Sequence, residues 1–386
     1  MKDKMLKFLS YVLVACVASV VTIAVCARTN ILPENPKLAE LQAIIEERYI
    51  GGADPDTLLD YAAAGMVEGT GDRWSYYIPA SEMQAHTESM NNAYVGIGVT
   101  VRLREDDKGL DVMAVTEGGP AEEAGILPGD ILYAVSGELI GPLGLDGATT
   151  LIKGEEGTTV EIAVLREEEK LVFTVERRSI EVVVAKGQML PDNIGLVTIE
   201  NFNSRSAQST IEIIESLQEQ GATALILDVR NNPGGYRHEL VKLLDYLLPA
   251  GELFRSEHYD GTQSVDMSDA SYLDMPMVVL VNEDSYSAAE FFAAALREYE
   301  AATLVGTQTC GKGYYQQTIL LSDGSAVNLS TGRYFTPKGV SLAGVGLTPD
   351  AVVEVDDETY MKIYYNQLSP EEDPQIQEAV KVLLGK

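Results

Sequence analysis

The sequence predicts an α/β protein, a layered core of alternating strands and helices preceded by a β-rich insert and a short helical segment. Three observations carry this. From residue 180 to 364, apolar runs of strand length alternate with amphipathic stretches of helical period, the pattern of helices packed on a sheet. From residue 94 to 177 the pattern changes to short β-rich runs separated by glycine turns. Between residues 37 and 68, apolar residues recur at helical spacing instead. At 386 residues the chain exceeds one compact core, and a hydrophobic content of 46% excludes a disordered one.

In chain order, the first ten residues carry Lys2, Lys4 and Lys7 against Asp3, and residues 8–27 follow with no charge at all. That length crosses a bilayer once, and basic residues before it hold the N-terminus in the cytoplasm. A signal anchor over residues 1–29 is therefore expected, with everything after Arg28 extracytoplasmic. Two other readings stay open. Val25-Cys-Ala27 has the small residues of a signal-peptidase site. Leu13-Val-Ala-Cys16 has the look of a lipobox, although the apolar run continues 11 residues past Cys16.

Residues 30–91 form the helical segment, with helices predicted over 37–49 and 55–68, the second with proline early and Gly69 just past its end. The β-rich insert occupies 92–178. The α/β core occupies 179–366, with strands over 195–199, 224–229, 277–281 and 302–305 and helices over 206–220, 236–248 and 287–299. A last amphipathic helix, within 367–386, closes the chain.

Formal net charge is −31, from 59 acidic against 28 basic residues, which argues against nucleic acid or any other polyanion as partner. Cys310 is the only thiol beyond the apolar segment, so no intrachain disulfide holds the exported part. There is no Cys-x-x-Cys or His-Glu-x-x-His, and the histidines are His86, His238 and His258. No metal and no organic cofactor is expected.

The chemistry concentrates in three segments. Ser287, in Asn282-Glu-Asp-Ser-Tyr-Ser-Ala-Ala-Glu290, stands where a strand turns into an Ala-rich helix. Free N–H groups at a helix start favour negative charge, which suits an activated serine and an adjacent oxyanion. The competing reading is a plain helix cap, with Glu290 completing a capping box. Lys312, in Cys310-Gly-Lys-Gly313, lies 25 residues further on. A desolvated amine can take the proton of a serine hydroxyl, whereas a solvated one is only a surface lysine. Leu225-Ile-Leu-Asp-Val-Arg-Asn-Asn-Pro-Gly-Gly235 ends a buried strand in a glycine turn able to supply oxyanion donors. Asp228 and His238 offer a rival Ser-His-Asp arrangement.

These three segments, in this order, resemble the carboxyl-terminal processing peptidases, or tail-specific proteases. The resemblance runs from about residue 37 to 350. It includes Gly71-Asp-Arg-Trp-Ser-Tyr-Tyr77 and the PDZ signature Gly119-Pro-Ala-Glu-Glu-Ala-Gly-Ile-Leu-Pro-Gly-Asp-Ile-Leu132. Arg333-Tyr-Phe-Thr-Pro-Lys-Gly339 and Gly344-Val-Gly-Leu-Thr-Pro-Asp350 close it. It implies a crotonase-like/ClpP-like α/β core with an inserted PDZ domain and N-terminal helices. It implies Ser287 as nucleophile, Lys312 as base and Gln316 as the residue that orients the lysine, with Gln317 the alternative if the register slips by one. It also implies the N–H groups of Ala288 and Gly234 as oxyanion donors, Gly235 being the near alternative for the second. Val95, Gly96, Ile97 and Gly98 would cradle a peptide carboxylate. The chain departs from the family at Asp284 and Tyr286, where glycine and alanine are usual, and at Cys310, which replaces an aromatic.

The expectation is a membrane-anchored extracytoplasmic serine endopeptidase, acting on polypeptides with free C-termini and gated by its PDZ domain. The helices within 37–68 and 370–384 are candidate surfaces for a homo-oligomer, and Arg166 is a candidate to carry a signal from PDZ to core. The rival from another class is a catalytically weak PDZ adaptor that holds C-terminal tails.

Overall fold

The computed structural model describes residues 36–385, except 105 and 107, in two compact units divided after Tyr77. The anchor, signal-peptidase and lipobox readings of residues 1–29 lie outside the described residues. No helix among those described is long and apolar enough to cross a membrane.

In the first unit, α1 (Pro36–Arg48) and α2 (Pro55–Glu68) stand where helical spacing predicted them. Asp54 caps α2 by accepting the Thr57 N–H at 2.9 Å, and Pro55 opens it, where no N–H is needed.

The second unit begins with α3 (Met83–Met90) and then the β-rich insert. Its strands are β1 (Ala93–Gly96), β2 (Val99–Leu103), β3 (Leu110–Val115), β4 (Ile131–Val135), β5 (Glu138–Leu139), β6 (Thr159–Arg166), β7 (Glu169–Glu176) and β8 (Arg178–Glu181). An antiparallel sheet orders β2-β3-β4-β6-β7, with β5 on β4, while β1 pairs separately with β8. Two helices, α4 (Pro120–Ala124) and α5 (Ile140–Ile152), cover it, and Ile97, Leu110, Ile126, Leu132 and Ile162 fill a core of its own.

The α/β part is built on β9 (Ala185–Leu190), β10 (Ile194–Ile199), β11 (Ala224–Asp228), β14 (Met277–Val281), β15 (Ala302–Gly306) and β18 (Ala351–Val352), side by side in that order. All neighbours are parallel except β9 and β10. Alternation along buried strands divides the core in two. Leu225, Leu227, Met277, Val279 and Val281 face α6 (Ser206–Glu219), α7 (Arg237–Leu247) and α8 (Ala288–Glu298). Ala224, Ile226, Val278 and Leu280 face Ile376 and Ala379 of α10 (Pro374–Leu383). The terminal helix is thus a structural layer, its apolar face occupied by this chain's own sheet. A second antiparallel sheet orders β16 (Tyr314–Leu320), β17 (Ala326–Phe335), β12 (Gly251–His258) and β13 (Gln263–Ser268). Ahead of α10 lies α9 (Asp357–Tyr364).

The insert is rooted in the α/β part by amides. Buried Asn92 donates to Asn201 Oδ1 at 3.0 Å and to the Ser204 carbonyl at 2.9 Å, and Asn201 donates back to Asn92 Oδ1 at 2.9 Å. Arg205 adds bonds to the Asn92 carbonyl, 2.6 Å, and to Glu181, 2.9 Å. Arg166 does not reach the α/β part. It grips Asp130 with two nitrogens, at 2.7 and 2.8 Å, and the Gly125 carbonyl, so its bonds lie inside the insert.

Candidate active site

Wholly buried β14 delivers the chain to the C-terminal edge of the parallel strands, the side where α/β sheets carry their sites. The loop beyond it is laced to the loop beyond β11. Ser285 Oγ donates to the Val229 carbonyl at 2.7 Å, and Asn282 exchanges hydrogen bonds of 2.9 and 2.7 Å with Asn231. Ser287 then enters α8 with φ 59° and ψ −123°, a conformation glycine adopts easily and serine does not. Such a residue costs about 1–3 kcal/mol and persists only where its surroundings over-determine it. Sequence gave no sign of this strain.

One group over-determines it. Glu290, fully buried in the first turn of α8, accepts four donors. Oε2 takes the N–H groups of Ser287 at 3.0 Å and Lys312 at 2.8 Å. Oε1 takes the Gly311 N–H at 2.7 Å and the Thr309 hydroxyl at 2.6 Å. The capping box read from sequence is realised, but it is only half of what the carboxylate does, since the same oxygens fix the lysine's backbone. Glu290 and Thr309 are the residues sequence reasoning did not place in the site. The capping pattern gave one clue to Glu290, and nothing local pointed to Thr309.

Lys312 is partly buried between two buried glycines, and its Nζ lies 5.5 Å from the centroid of the Tyr286 ring. Gln316 follows on β16, beside an irregularity in the pairing between Tyr315 and Gln316. Its amide donates to Ser330 Oγ at 2.9 Å and to the Tyr314 carbonyl at 3.2 Å. Gln317 turns elsewhere, to His258 Nε2 at 3.4 Å.

Gly234 has φ +87°, and a Cβ on it would stand 2.8 Å from Ser287 Cβ and 2.9 Å from Ala288 N, so only glycine lets this turn approach the helix start. Its own N–H is already donated to Asn232 Oδ1 at 2.8 Å, a commitment that sequence did not foresee in an oxyanion donor. Its carbonyl accepts from Phe202 N at 2.7 Å, which ties the turn to the segment holding Asn201.

The Ser-His-Asp alternative fails on geometry. His238 is 71% exposed, stacks on Tyr236 and stands 3.6 Å from Glu239. Asp228 lies on the α10 side of the sheet and takes Arg230 through both oxygens, at 2.9 and 2.7 Å. Arg230 continues to Asp373 at 2.8 Å and Gln375 at 2.9 Å, a buried cluster joining the end of β11 to the start of α10. The two carboxylates raise the already high Arg230 pKa further, against the opposite pull of burial.

In the insert, Val95 and Gly96 pair with Ser179 and Arg178, and the Val95 N–H points at Glu88 from 3.5 Å. Ile97 is buried in the insert's core, its carbonyl accepting from Ala121 at 2.9 Å, and Gly98 turns the chain at φ +75°. Val95 and Gly96 thus end β1, and Ile97 and Gly98 form the turn into β2.

The profile of peptidase family S41 matches residues 193–353, and that of the PDZ domain matches residues 112–166. The carboxy-terminal processing protease CtpA of Bacillus subtilis is 30% identical over 377 residues, 95% of this chain and 80% of that protein. A CtpA-like serine protease of Staphylococcus haemolyticus is 32% identical over 324 residues, 83% of this chain and 65% of that protein. Among solved structures, the photosystem II D1 C-terminal processing protease superposes with a TM-score of 0.48 at 24% identity, covering 84% of this chain and 94% of that one.

Proposed function

We propose a Ser/Lys mechanism from the premise that the chain belongs to peptidase family S41, as a PDZ-containing carboxy-terminal processing protease. It is a serine-type peptidase. The observation that carries the mechanism is the Glu290 carboxylate, which accepts the backbone N–H groups of both Ser287 and Lys312 and so holds the two segments in one frame.

In this reading Ser287 Oγ attacks the scissile carbonyl carbon as Lys312 Nζ takes its proton. The oxyanion forms against the start of α8, with the Ala288 N–H as one donor. The Gly234 N–H is the second, exchanging Asn232 Oδ1 for the oxyanion as one acceptor replaces another. Collapse breaks the C–N bond, and the leaving amine takes the proton from Lys312. Water then attacks the acyl-serine, gives its proton to Lys312, and the serine regains its own as the new C-terminus departs. Gln316 steadies the strand that follows the lysine.

Substrates are polypeptides with free C-termini, captured at Val95, Gly96, Ile97 and Gly98 as an added strand along β2. The uncharged residues 8–27 support a single membrane anchor with the catalytic part outside the cytoplasm. Mass spectrometry of the mature N-terminus tests it, and a start at Arg28 would mean cleavage instead. Exposed Leu38, Leu41 and Ile44 on α1 support self-association through the first unit.

The mechanism is tested with a fluorophosphonate probe and a peptide assay. Ser287→Ala should abolish labelling and His238→Ala should leave it intact. Lys312→Arg should abolish turnover, because a guanidinium does not surrender its proton near neutral pH. Substantial turnover by the arginine variant would remove Lys312 from the chemistry.

A further inference from the structure

Tyr286, the residue before the nucleophile, departs from the alanine usual in the family, and its ring lies against the Lys312 ammonium, 5.5 Å from centroid to Nζ. An aromatic face attracts a cation within about 6 Å and has no comparable attraction for a neutral amine. The contact therefore favours one protonation state of Lys312, the one that cannot accept a proton. We propose that Tyr286 is a positioning residue that clamps Lys312 in its protonated form in the resting enzyme. It thereby sets the pH above which the enzyme turns on. This rests on Lys312 being the base, as proposed above.

The geometry is built to keep that contact. Tyr286 N–H is held by the Asn232 carbonyl at 3.2 Å, and the Tyr286 carbonyl accepts the Ala289 N–H at 3.3 Å, so the backbone under the ring is fixed on both sides. The lysine's backbone is fixed by Glu290, and the two segments are joined again where Cys310 N–H donates to the Ser285 carbonyl at 3.3 Å. Ring and ammonium thus face each other from two braced segments. Other ionisable groups stand on the elements around them. Glu283 and Asp284 are on the nucleophile loop, Asp284 bound by the Tyr360 hydroxyl, and Glu290 is on α8. Cys310, Tyr314 and Tyr315 are on the lysine's own segment, Arg237 follows the glycine turn, and Lys338 lies on the loop before Ala343. A substitution of the ring leaves all of these residues in place, and the phenylalanine variant separates the ring from its hydroxyl.

The test uses the full-length chain with Tyr286→Phe, Tyr286→Leu and Tyr286→Trp. Competitive acetylation by acetic anhydride across pH, read by mass spectrometry at Lys312 against Lys37 as internal reference, reports the lysine's titration without reference to catalysis. Leucine should move the midpoint down by about half a pH unit, phenylalanine should leave it in place, and tryptophan should move it up. The acid limb of kcat/KM should follow, making the leucine variant about threefold faster well below the limb. Midpoints that coincide in all four proteins overturn the clamp. If leucine prevents folding, the tryptophan and phenylalanine variants still decide, since tryptophan alone of the two should move the midpoint. Acetylation midpoints that move while the kcat/KM limb stays put would keep the clamp and remove Lys312 as base, so the two readings fail separately.

Discussion

Glu290 accepts four donors from residues spread over positions 287 to 312, and a glutamine in its place offers one acceptor oxygen and an NH2 group that repels the donors facing it. Hydrogen bonds to charged groups contribute about 1.5–3 kcal/mol each, so Glu290→Gln should lower the melting temperature by several degrees. Fluorophosphonate labelling should slow at least about tenfold, the equivalent of losing one such bond in the positioned state. Full labelling at the wild-type rate would make the carboxylate a structural cap alone. Ser287 and Lys312 stood out in the sequence through residue type and neighbours taken together with the family resemblance, since the neighbours of Ser287 alone read as a plain helix cap. The capping pattern showed Glu290 only its own helix, since its other donors, 19 to 22 residues downstream, meet it only in the folded chain. The positive φ of Ser287 was invisible for the same reason, as no residue type announces a strain imposed from outside.

Among elements, strands buried on both faces were the easiest to read: β14 is a continuous apolar run and β11 is one as far as Asp228, and both lie within a residue of their predicted ends. The β12–β13 pair was not read at all. Gln263–Ser268 is largely exposed and polar, and the irregularity between Glu252 and Phe254 interrupts the period-two pattern that would have betrayed its partner. The role of α10 was hidden because its anchor, Asp373, finds Arg230 143 positions away. Arg230→Met would strand two buried carboxylates, and breaking such a pair costs about 3–5 kcal/mol. Limited proteolysis should then cut between α9 and α10 where the wild type resists, and unchanged resistance would show the helix held by its apolar face alone.

Within the insert, burial tends to raise the Asp130 pKa, but hydrogen bonds from Arg166 and the Leu127 N–H outweigh it and hold the group below its ordinary value. A depressed folded pKa means stability that is complete above the ordinary carboxylate range and is lost as pH falls through the folded value. Urea unfolding of the full chain should show this loss, and Arg166→Leu should both lower the midpoint near neutrality and flatten its acid dependence. An unaltered pH dependence would discount the pair.

At the scale of the whole molecule, the insert and the glycine turn are close neighbours along the hydrogen bonds. Asn92, at the insert's root, binds Asn201, and the next residue, Phe202, donates to the Gly234 carbonyl. A ligand shifts a balance between states only by its differential affinity for them, and these contacts are one route by which occupancy at residues 95–98 would be felt at Ser287. A short peptide with a free apolar C-terminus should therefore accelerate cleavage of a separate substrate, and its C-terminal amide should not. Asn201→Ala should reduce the ratio of stimulated to basal rate. Equal rates with acid, amide and no peptide would leave the PDZ domain a passive tether.

The shared carboxylate also limits how such an enzyme can be idle. With the N–H groups of Ser287 and Lys312 bonded to the same oxygen, Oε2 of Glu290, their backbones have little freedom to separate, and drawing them apart would unseat the buried Glu290 itself. Inactivity by pulling Ser287 from Lys312 is thus mechanically expensive here. What is left to vary is the opposite wall, the turn at Gly234, and the direction in which the lysine's flexible stem points.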